Sequence, residues 1–391
     1  MGNSPSRFFR DRRLARRRPL SADRVMFPLA ALFALAAIPG WLILHHASMP
    51  VASAWHGHEM LFGYAFSVIA GFLVTRTSRG VLAALVATWI AARVAVAANT
   101  GVWAVVAGLS FPATVLAAAA PPLLRGAKRA ENRIVPAILV GLLWLDAMWW
   151  AGAPWLGPAV ERRALLGAID LLSLLMLVVG GRALPAAVGG HLERHGIART
   201  DMIRSGYELP LAASMAIAFV SDLSGLQEIA GLFSIGAALL TLWRASSWRL
   251  GYALRQAPLR ALALAYLWLI PALILKGGAQ LMSTSLLAHA LHGFTIGALG
   301  SLTGVMMVRT ALLRMGKPLS SFKEINLAVL LLGLSAVLRL LALPSLPGRE
   351  IWLWASAGAW VVAFAILLVG LLFTYSVPAR AKGANRKRDI R

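Results

Sequence analysis

The chain has 391 residues, of which 59% are hydrophobic and 14% charged, and its mean hydropathy is +0.74. Soluble domains carry about 25% charged residues, so this composition excludes an ordinary soluble fold and indicates an integral membrane protein. The net charge of +23 would suggest nucleic acid as the partner of a soluble chain. Here the basic residues lie between apolar stretches, which argues against nucleic acid. The lack of cysteine in the sequence excludes disulfides, iron–sulfur clusters and thiolate-linked haem.

Twelve apolar stretches follow one another along the sequence, most of them close to the length of about 17 to 25 residues that crosses a bilayer as a helix. They are residues 26–44, 57–75, 81–98, 102–124, 134–151, 164–181, 207–221, 225–243, 261–279, 284–308, 325–342 and 351–375. Helices satisfy their backbone hydrogen bonds internally, as lipid requires. We therefore predict an all-α fold, with one polytopic transmembrane domain of about twelve helices at 26–376 between basic tails at 1–25 and 377–391.

Basic residues alternate between the two sides of the predicted helices. Both tails and every second connection carry most of the 38 Lys and Arg residues, whereas the opposite connections hold only Arg162, Arg163 and Arg349. In membrane proteins the excess of Lys and Arg lies in the cytoplasmic loops. Both termini are therefore predicted to be cytoplasmic, with the tails beside the anionic lipid of the bilayer.

The stretch 55–64, with the sequence WHGHEMLFGY, places His56, His58 and Glu59 at the start of the second predicted helix. Ionisable groups at the edge of the hydrocarbon are costly unless they are paired, hydrated or bound, so they are a hint of function. In a helix, His56 and Glu59 share one face and His58 points about 200° away from His56. One site can therefore use His56 or His58, but hardly both.

The predicted topology places most of the eight histidines toward the outer face. These histidines end the first helix or begin the second and tenth helices, and they are His45, His46, His56, His58, His289 and His292. Imidazoles gathered at one membrane depth are what bis-imidazole haem ligation or a copper site requires. His289 and His292 are three residues apart and share a helix face. For His45 and His46 we favour the alternative of interfacial side chains.

Three further features leave alternatives open. His191 and His195 have the i, i+4 spacing of a metal site, but they lie in the charged inner connection at 182–206, and we favour a solvated loop. The tenth predicted helix carries a stripe of small residues at helical spacing, namely Gly293, Gly297, Gly300 and Gly304. Such a stripe allows another helix to approach closely, which is the interpretation we favour, or it allows the flat edge of a porphyrin to approach. Asp146, Asp170, Lys276 and Arg339 are among the charged residues inside predicted spans. Such residues are either buried pairs or parts of a proton or substrate path.

Blocks of the sequence resemble the signatures of the NnrS family of bacterial inner-membrane proteins. The run WHGHEMLFGYAFSVIAGFLVT at 55–75 is similar to the family's WHxHEMLFGxxxAVIxGFLLT. GGRALP at 180–185 resembles GGRxxP. HGFTIGALG at 292–300, followed by MMVR at 306–309 and GKPL at 316–319, resembles HALTVGAIG, MMxR and GRPL. The similarity spans most of the chain.

The resemblance implies a twelve-helix protein that carries haem and copper and eases nitrosative stress, with no settled enzymatic reaction. By matching positions, it implies a candidate metal-site role for His56, His58, Glu59 and His292. Arg182 and Arg309 match motifs only, and the predicted topology places both at the inner face. The departures from the family pattern also fall on the inner side, where Arg314 replaces a histidine.

We therefore predict a b-type haem between the second and tenth helices, bound by His58 and His292, with His56 and His289 as the alternative pair or as copper ligands. Nitric oxide or an iron-nitrosyl species is the expected ligand, on the resemblance alone. The competing interpretation is a twelve-helix secondary transporter, which would be expected to show repeat symmetry and broken helices. A membrane sensor that binds metal without turnover is a third interpretation.

Overall fold

The computed structural model describes residues 20–47, 53–98, 101–126, 134–197, 206–283 and 285–377. Within these ranges the chain is helical, and the extended contact is an isolated bridge between Leu20 and Thr77. The all-α fold class is therefore confirmed. Most of the two basic tails predicted at 1–25 and 377–391 lies outside the described residues.

The helices of the described residues are, in chain order, α1 (Asp23–His46), α2 (Ser53–His58), α3 (Phe66–Leu73), α4 (Arg79–Ala98), α5 (Gly101–Gly126), α6 (Ile134–Ala151), α7 (Pro158–Arg194), α8 (Glu208–Ser224), α9 (Gln227–Ser246), α10 (Leu250–Arg255), α11 (Ala257–Leu267), α12 (Leu269–Leu281), α13 (Leu287–His292), α14 (Ser301–Arg314), α15 (Ile325–Leu341) and α16 (Arg349–Ser376). Further segments are π-helical, namely π1 (Glu59–Ala65), π2 (Gly152–Leu156) and π3 (Gly293–Gly300). π1 joins α2 to α3, and π3 joins α13 to α14.

Nine helical segments of the described chain are long and apolar enough to span a membrane. They are Asp23–His46, Arg79–Ala98, Gly101–Arg125, Ile134–Ala151, Pro158–Arg194, Gln227–Ser246, Ala257–Leu281, Leu287–Arg314 and Arg349–Ser376. Each of the twelve predicted stretches overlaps one helical segment, and those outside this group are α2–π1–α3, α8 and α15. Apolar side chains exposed on the outer helices, such as Ile90, Leu232 and Val369, provide the surface that lipid requires.

The interior is formed by the segment α2–π1–α3, by α7 and by the segment α13–π3–α14. π1 and π3 both contact α7, and α3 contacts α14. In α7, 78% of the spanning window is buried, against 28% in α4. Helices adjacent in sequence pack around this centre, and α16 packs on α1. The second and tenth predicted helices therefore meet in the interior.

π-Helical turns follow directly after His58 and His292. A π-turn holds an extra residue, which rotates the side chains beyond it relative to an unbroken α-helix, and such turns are frequent at functional sites. In π1 the carbonyl of Gly63 accepts hydrogen bonds from Trp89 Nε1 at 3.0 Å and from Ser67 Oγ at 2.5 Å. All residues of π1 are buried, so hydrophobic periodicity gives no sign of this turn.

α7 is longer than the sixth predicted span at 164–181, since it runs for 37 residues from Pro158 to Arg194. Proline suits the first turn of a helix. Beyond residue 181 the chain stays helical because Leu184, Val188 and Leu192 recur every fourth residue and are all buried. The prediction of an inner connection beginning at 182 is therefore wrong as far as Arg194.

Candidate metal centre

His56 in α2 and His292 at the end of α13 are neighbours. Their ring centroids are 6.5 Å apart, their ring planes differ by 12°, and both side chains are half-buried. His292 Nδ1 lies 2.8 Å from the Ala288 carbonyl. Because a carbonyl only accepts hydrogen bonds, Nδ1 carries the proton. Nε2 of the neutral ring then keeps its lone pair for a metal.

A column of nearly parallel rings holds His56 in place. Trp41 in α1 stacks on His56, with centroids 4.6 Å apart and planes 23° apart. The same indole stacks on His45 at 5.2 Å. Stacking on a large aromatic ring restricts the rotation of an imidazole. Trp41, which the sequence does not mark as a site residue, is thus a neighbour that positions His56.

The adjacent His46 faces the last helix, α16. Its Nε2 lies 2.6 Å from Glu350 Oε2, and its ring lies 5.4 Å from that of Trp354. The side chains of His46 and Glu350 are 36% and 53% exposed. An exposed pair contributes little to stability. This placement agrees with the interfacial role favoured for His46.

Arg339 and His289 border the same pair of imidazoles. The Arg339 guanidinium is close enough to interact electrostatically with His56, His289 and His292. Arg339 Nη1 is buried without a hydrogen-bond partner, and so is at least one ring nitrogen of His289. A buried N–H without an acceptor is costly. An acidic group of a bound ligand would satisfy the guanidinium.

His58 belongs to a different cluster and is 1% exposed. Its Nε2 lies 2.8 Å from Asp146 Oδ1, and its Nδ1 lies 3.3 Å from Glu59 Oε1. Ionised carboxylates accept hydrogen bonds but do not donate them, so both ring nitrogens carry a hydrogen and the ring is an imidazolium. An imidazolium has no lone pair to offer a metal. Trp149 stacks on this ring at 3.8 Å.

Arg93 completes this cluster from α4. Its Nε lies 3.2 Å from Glu59 Oε2, so two carboxylates face two cations. Buried charges are tolerated when each has an opposite charge close by. The Arg93 guanidinium lies against Gly63, where an added methyl group would collide with it. Glu59 and Gly63 of the stretch WHGHEMLFGY therefore serve this ion-pair network.

The structure thus places the predicted ligands in two separate clusters. His292 faces His56 rather than His58, and Glu59 pairs with His58 and Arg93. Within the described residues, no group of three or more His, Asp or Glu side chains is placed to hold a metal ion. The prediction that His56 and His58 diverge is confirmed by their separate contacts.

Below the imidazoles, the second and tenth segments remain in contact. Tyr64 Oη and Thr303 Oγ1 are 2.6 Å apart. The glycine stripe of the tenth segment lies against bulky side chains. A methyl group at Gly297 would approach Trp268 to 2.6 Å, and the glycines that follow lie against α16. The stripe therefore packs helices, which is the interpretation favoured from the sequence.

A second buried polar cluster joins α7, α8 and α12. Lys276 Nζ contacts Asp170 Oδ1 and lies 2.7 Å from Asp222 Oδ2. Gln280 Nε2 donates to Asp222 Oδ1 at 2.6 Å. Asp170 and Lys276 thus form a buried pair, which is one of the two alternatives predicted. Asp222 and Gln280 are not evident from the sequence because each lies just beyond the end of a predicted span.

The inner-side motif residues lie far from the imidazole pair. Arg309 is about 25 Å along the helix from His292, at 1.5 Å per residue. Arg314 donates to the carbonyls of Gly71 and Phe72 at 3.0 and 2.8 Å and pairs with Asp23 at 2.8 Å. It thereby satisfies the free carbonyls at the C-terminal end of α3. The residue that departs from the family pattern has a structural role here.

His191 and His195 lie at the C-terminal end of α7, with ring centroids 4.2 Å apart. His191 packs against Tyr252 and is 8% exposed, so it belongs to the packed interior rather than to the solvated loop that we predict. His195 Nδ1 lies 2.8 Å from the His191 carbonyl.

Together, the fold and these clusters define an all-helical membrane protein with an imidazole pair at one end of its central helices. A family model described as NnrS protein matches residues 22–378, nearly the whole chain. The chain therefore belongs to the NnrS family, as its motifs indicate. No match is found among curated proteins.

Proposed function

We propose that this protein is a haem-binding membrane protein of the NnrS type, in which His56 and His292 bind one b-type haem. The separation of the two rings carries the proposal. Imidazole nitrogens bind metals at about 2 Å, so two imidazoles that would bind the same ion have ring centroids no more than about 6 to 7 Å apart. The observed separation of 6.5 Å lies in that range, and the backbone hydrogen bond of His292 leaves its Nε2 available.

The donor set favours haem over copper. A porphyrin supplies its own ring nitrogens to the iron, so two imidazoles from the protein would suffice, whereas copper sites commonly gather about three protein side chains. The described part of the chain offers no such group of three. When bound, the haem would supply redox-active iron, and Arg339 would pair with an acidic group of the porphyrin. Copper held by the same two imidazoles is the alternative occupant.

Nitric oxide, or an iron-nitrosyl species, is the proposed ligand, and nitric oxide would have to take the place of one of the two imidazoles. Relief of nitrosative stress is the proposed role. Family membership supports this role. The half-buried position of both imidazoles also supports it, because a small molecule reaches such a site without unfolding the bundle. The ion pairs around His58 then keep α2 in position beside the metal.

We also propose that twelve segments cross the bacterial inner membrane and that both termini are cytoplasmic. The segments α2–π1–α3, α8 and α15 are interrupted or shorter than the nine long spans, but they pack among them. The alternation of basic residues indicates which connections lie on the cytoplasmic side of the membrane. This topology places the imidazole pair toward the outer face.

Optical spectra of the purified protein, oxidised and dithionite-reduced, together with iron and copper analysis, test the proposal. We expect the spectrum of a six-coordinate b-type haem that is lost or shifted in H56A and in H292A. The matched control is H195A. It removes an imidazole at the C-terminal end of α7, away from His56 and His292, and should leave the spectrum unchanged. A colourless protein from haem-replete cells, or a haem spectrum indifferent to both ligand substitutions, would overturn the assignment.

A further inference from the structure

Asp170, Asp222 and Lys276 form a cluster in the packed interior, and their side chains are 0–1% exposed. Lys276 Nζ contacts one oxygen of each carboxylate, Asp170 Oδ1 and, at 2.7 Å, Asp222 Oδ2. Gln280 Nε2 donates to Asp222 Oδ1 at 2.6 Å and to Gln227 Oε1 at 3.2 Å. Four helices, α7, α8, α9 and α12, therefore contribute to this cluster.

The charges of the cluster do not balance. Two carboxylates face one ammonium, and the polar groups that complete the cluster from α9 and α12 are the neutral amides of Gln227 and Gln280. A net negative charge in a dry interior is strongly disfavoured. The cluster around His58 differs, because there two carboxylates face two cations.

One proton on the carboxyl pair restores neutrality. Both carboxylates contact the same ammonium, so they are neighbours, and neighbouring carboxylates share a proton in preference to ionising together. Asp170 Oδ2 is buried and has no hydrogen-bond partner, so it offers a position for that proton. A metal ion is disfavoured because Lys276 Nζ already lies between the carboxylates, where a bound cation would lie.

We propose that Asp170, Asp222 and Lys276 form a proton-binding site in the membrane domain, at which the two carboxyl groups hold one exchangeable proton. Release of the proton to water leaves a second carboxylate and an uncompensated charge between α7, α8 and α12. α7 contacts both π1 and π3, so the proton acts on the packing of the segments that carry the imidazoles. The bound proton stabilises the fold. The free energy of unfolding therefore falls as the pH rises through the range in which the folded protein releases this proton.

Infrared difference spectra of the full chain in lipid, recorded as the pH is raised, test this site. We expect a carbonyl band from a protonated carboxyl group that disappears on alkaline titration and shifts in heavy water. D170N and D222N should each remove the titrating band, since neither leaves a carboxyl pair. The matched control is D146N, which alters a buried carboxylate of the balanced cluster and should retain the band.

Thermal unfolding gives a second readout. The Tm of the wild type should fall as the pH rises, whereas D170N should show a flatter dependence because its remaining Asp222 and Lys276 balance each other. If one variant does not fold, the other variant and the titration of the wild type still test the proposal. The proposal is overturned if no carboxyl band titrates, if the band survives in the folded variants, or if sodium at constant pH removes it.

Discussion

Replacing Asp146 with alanine is expected to destabilise the protein while leaving the proposed haem ligation by His56 and His292 intact. Asp146 and His58 are each 1% exposed, and their bonded atoms are 2.8 Å apart. Removing one partner of a buried ion pair costs about 3 to 5 kcal/mol, because the other charge is left uncompensated. His58 has a way to relax, since loss of its proton restores the balance with Glu59 and Arg93. We therefore expect the lower end of this range, about 3 kcal/mol.

Reversible unfolding in a denaturing detergent, followed by circular dichroism of the helices, measures this free energy. D146N is the matched control and should cost less than D146A, because its amide oxygen still accepts a hydrogen bond from the imidazole. An exposed ion pair contributes up to about 1 kcal/mol. If D146A lowers the free energy of unfolding by less than this, Asp146 and His58 do not form a buried ion pair. Loss of haem from folded, stable D146A would instead show that His58 acts at the metal.

Three further substitutions test neighbouring contacts. G63A places a methyl group on the Arg93 guanidinium and is expected to lower the free energy of unfolding by about 1 to 3 kcal/mol in the same assay. W41A removes the ring stacked on the His56 imidazole and is expected to give a mixture of haem spin states in the optical spectrum, whereas W41F largely retains the wild-type spectrum. R339Q removes the guanidinium beside the imidazoles and is expected to speed the transfer of haem to a scavenging apoprotein.

Each of these variants has a control in the same chain. An added methyl at Gly40 meets nothing within 4 Å, so G40A should not destabilise the protein. Trp103 is 83% exposed, and Arg79 is exposed at the start of α4, so W103A and R79Q should leave the spectrum and the haem transfer rate unchanged. Equal effects in control and test variants would contradict the contacts assigned to Gly63, Trp41 and Arg339.

The helical segments follow from hydropathy because a chain in lipid has few alternatives to the helix. The fifth predicted span, 134–151, coincides with α6, Ile134–Ala151. The divergence of His56 and His58 is equally local, since it follows from the angle between residues two apart in a helix. The length of α7 is less evident, because its extension is held by packing of Leu184 and Val188 rather than by an unbroken apolar run.

The choice between His56 and His58 depends on partners far away in the sequence. Asp146 on α6 makes His58 an ion-pair residue, and motif similarity alone treats both histidines alike. Arg93 gives the same signal as Asp146, a charge inside a predicted span, but nothing local identifies Glu59 as its partner. Contacts of this kind are set by how distant helices pack, so a single sequence does not reveal them.

Low-temperature electron paramagnetic resonance of the oxidised protein tests most directly the proposal that His56 and His292 would both bind one haem iron. Their ring planes differ by 12°, and nearly parallel imidazoles give a rhombic low-spin ferric signal. We expect this signal in the wild type and in H58A, and a high-spin signal in H56A and in H292A. A high-spin wild type, the strongly anisotropic signal of perpendicular imidazoles, or a rhombic signal that survives both H56A and H292A would contradict the proposal.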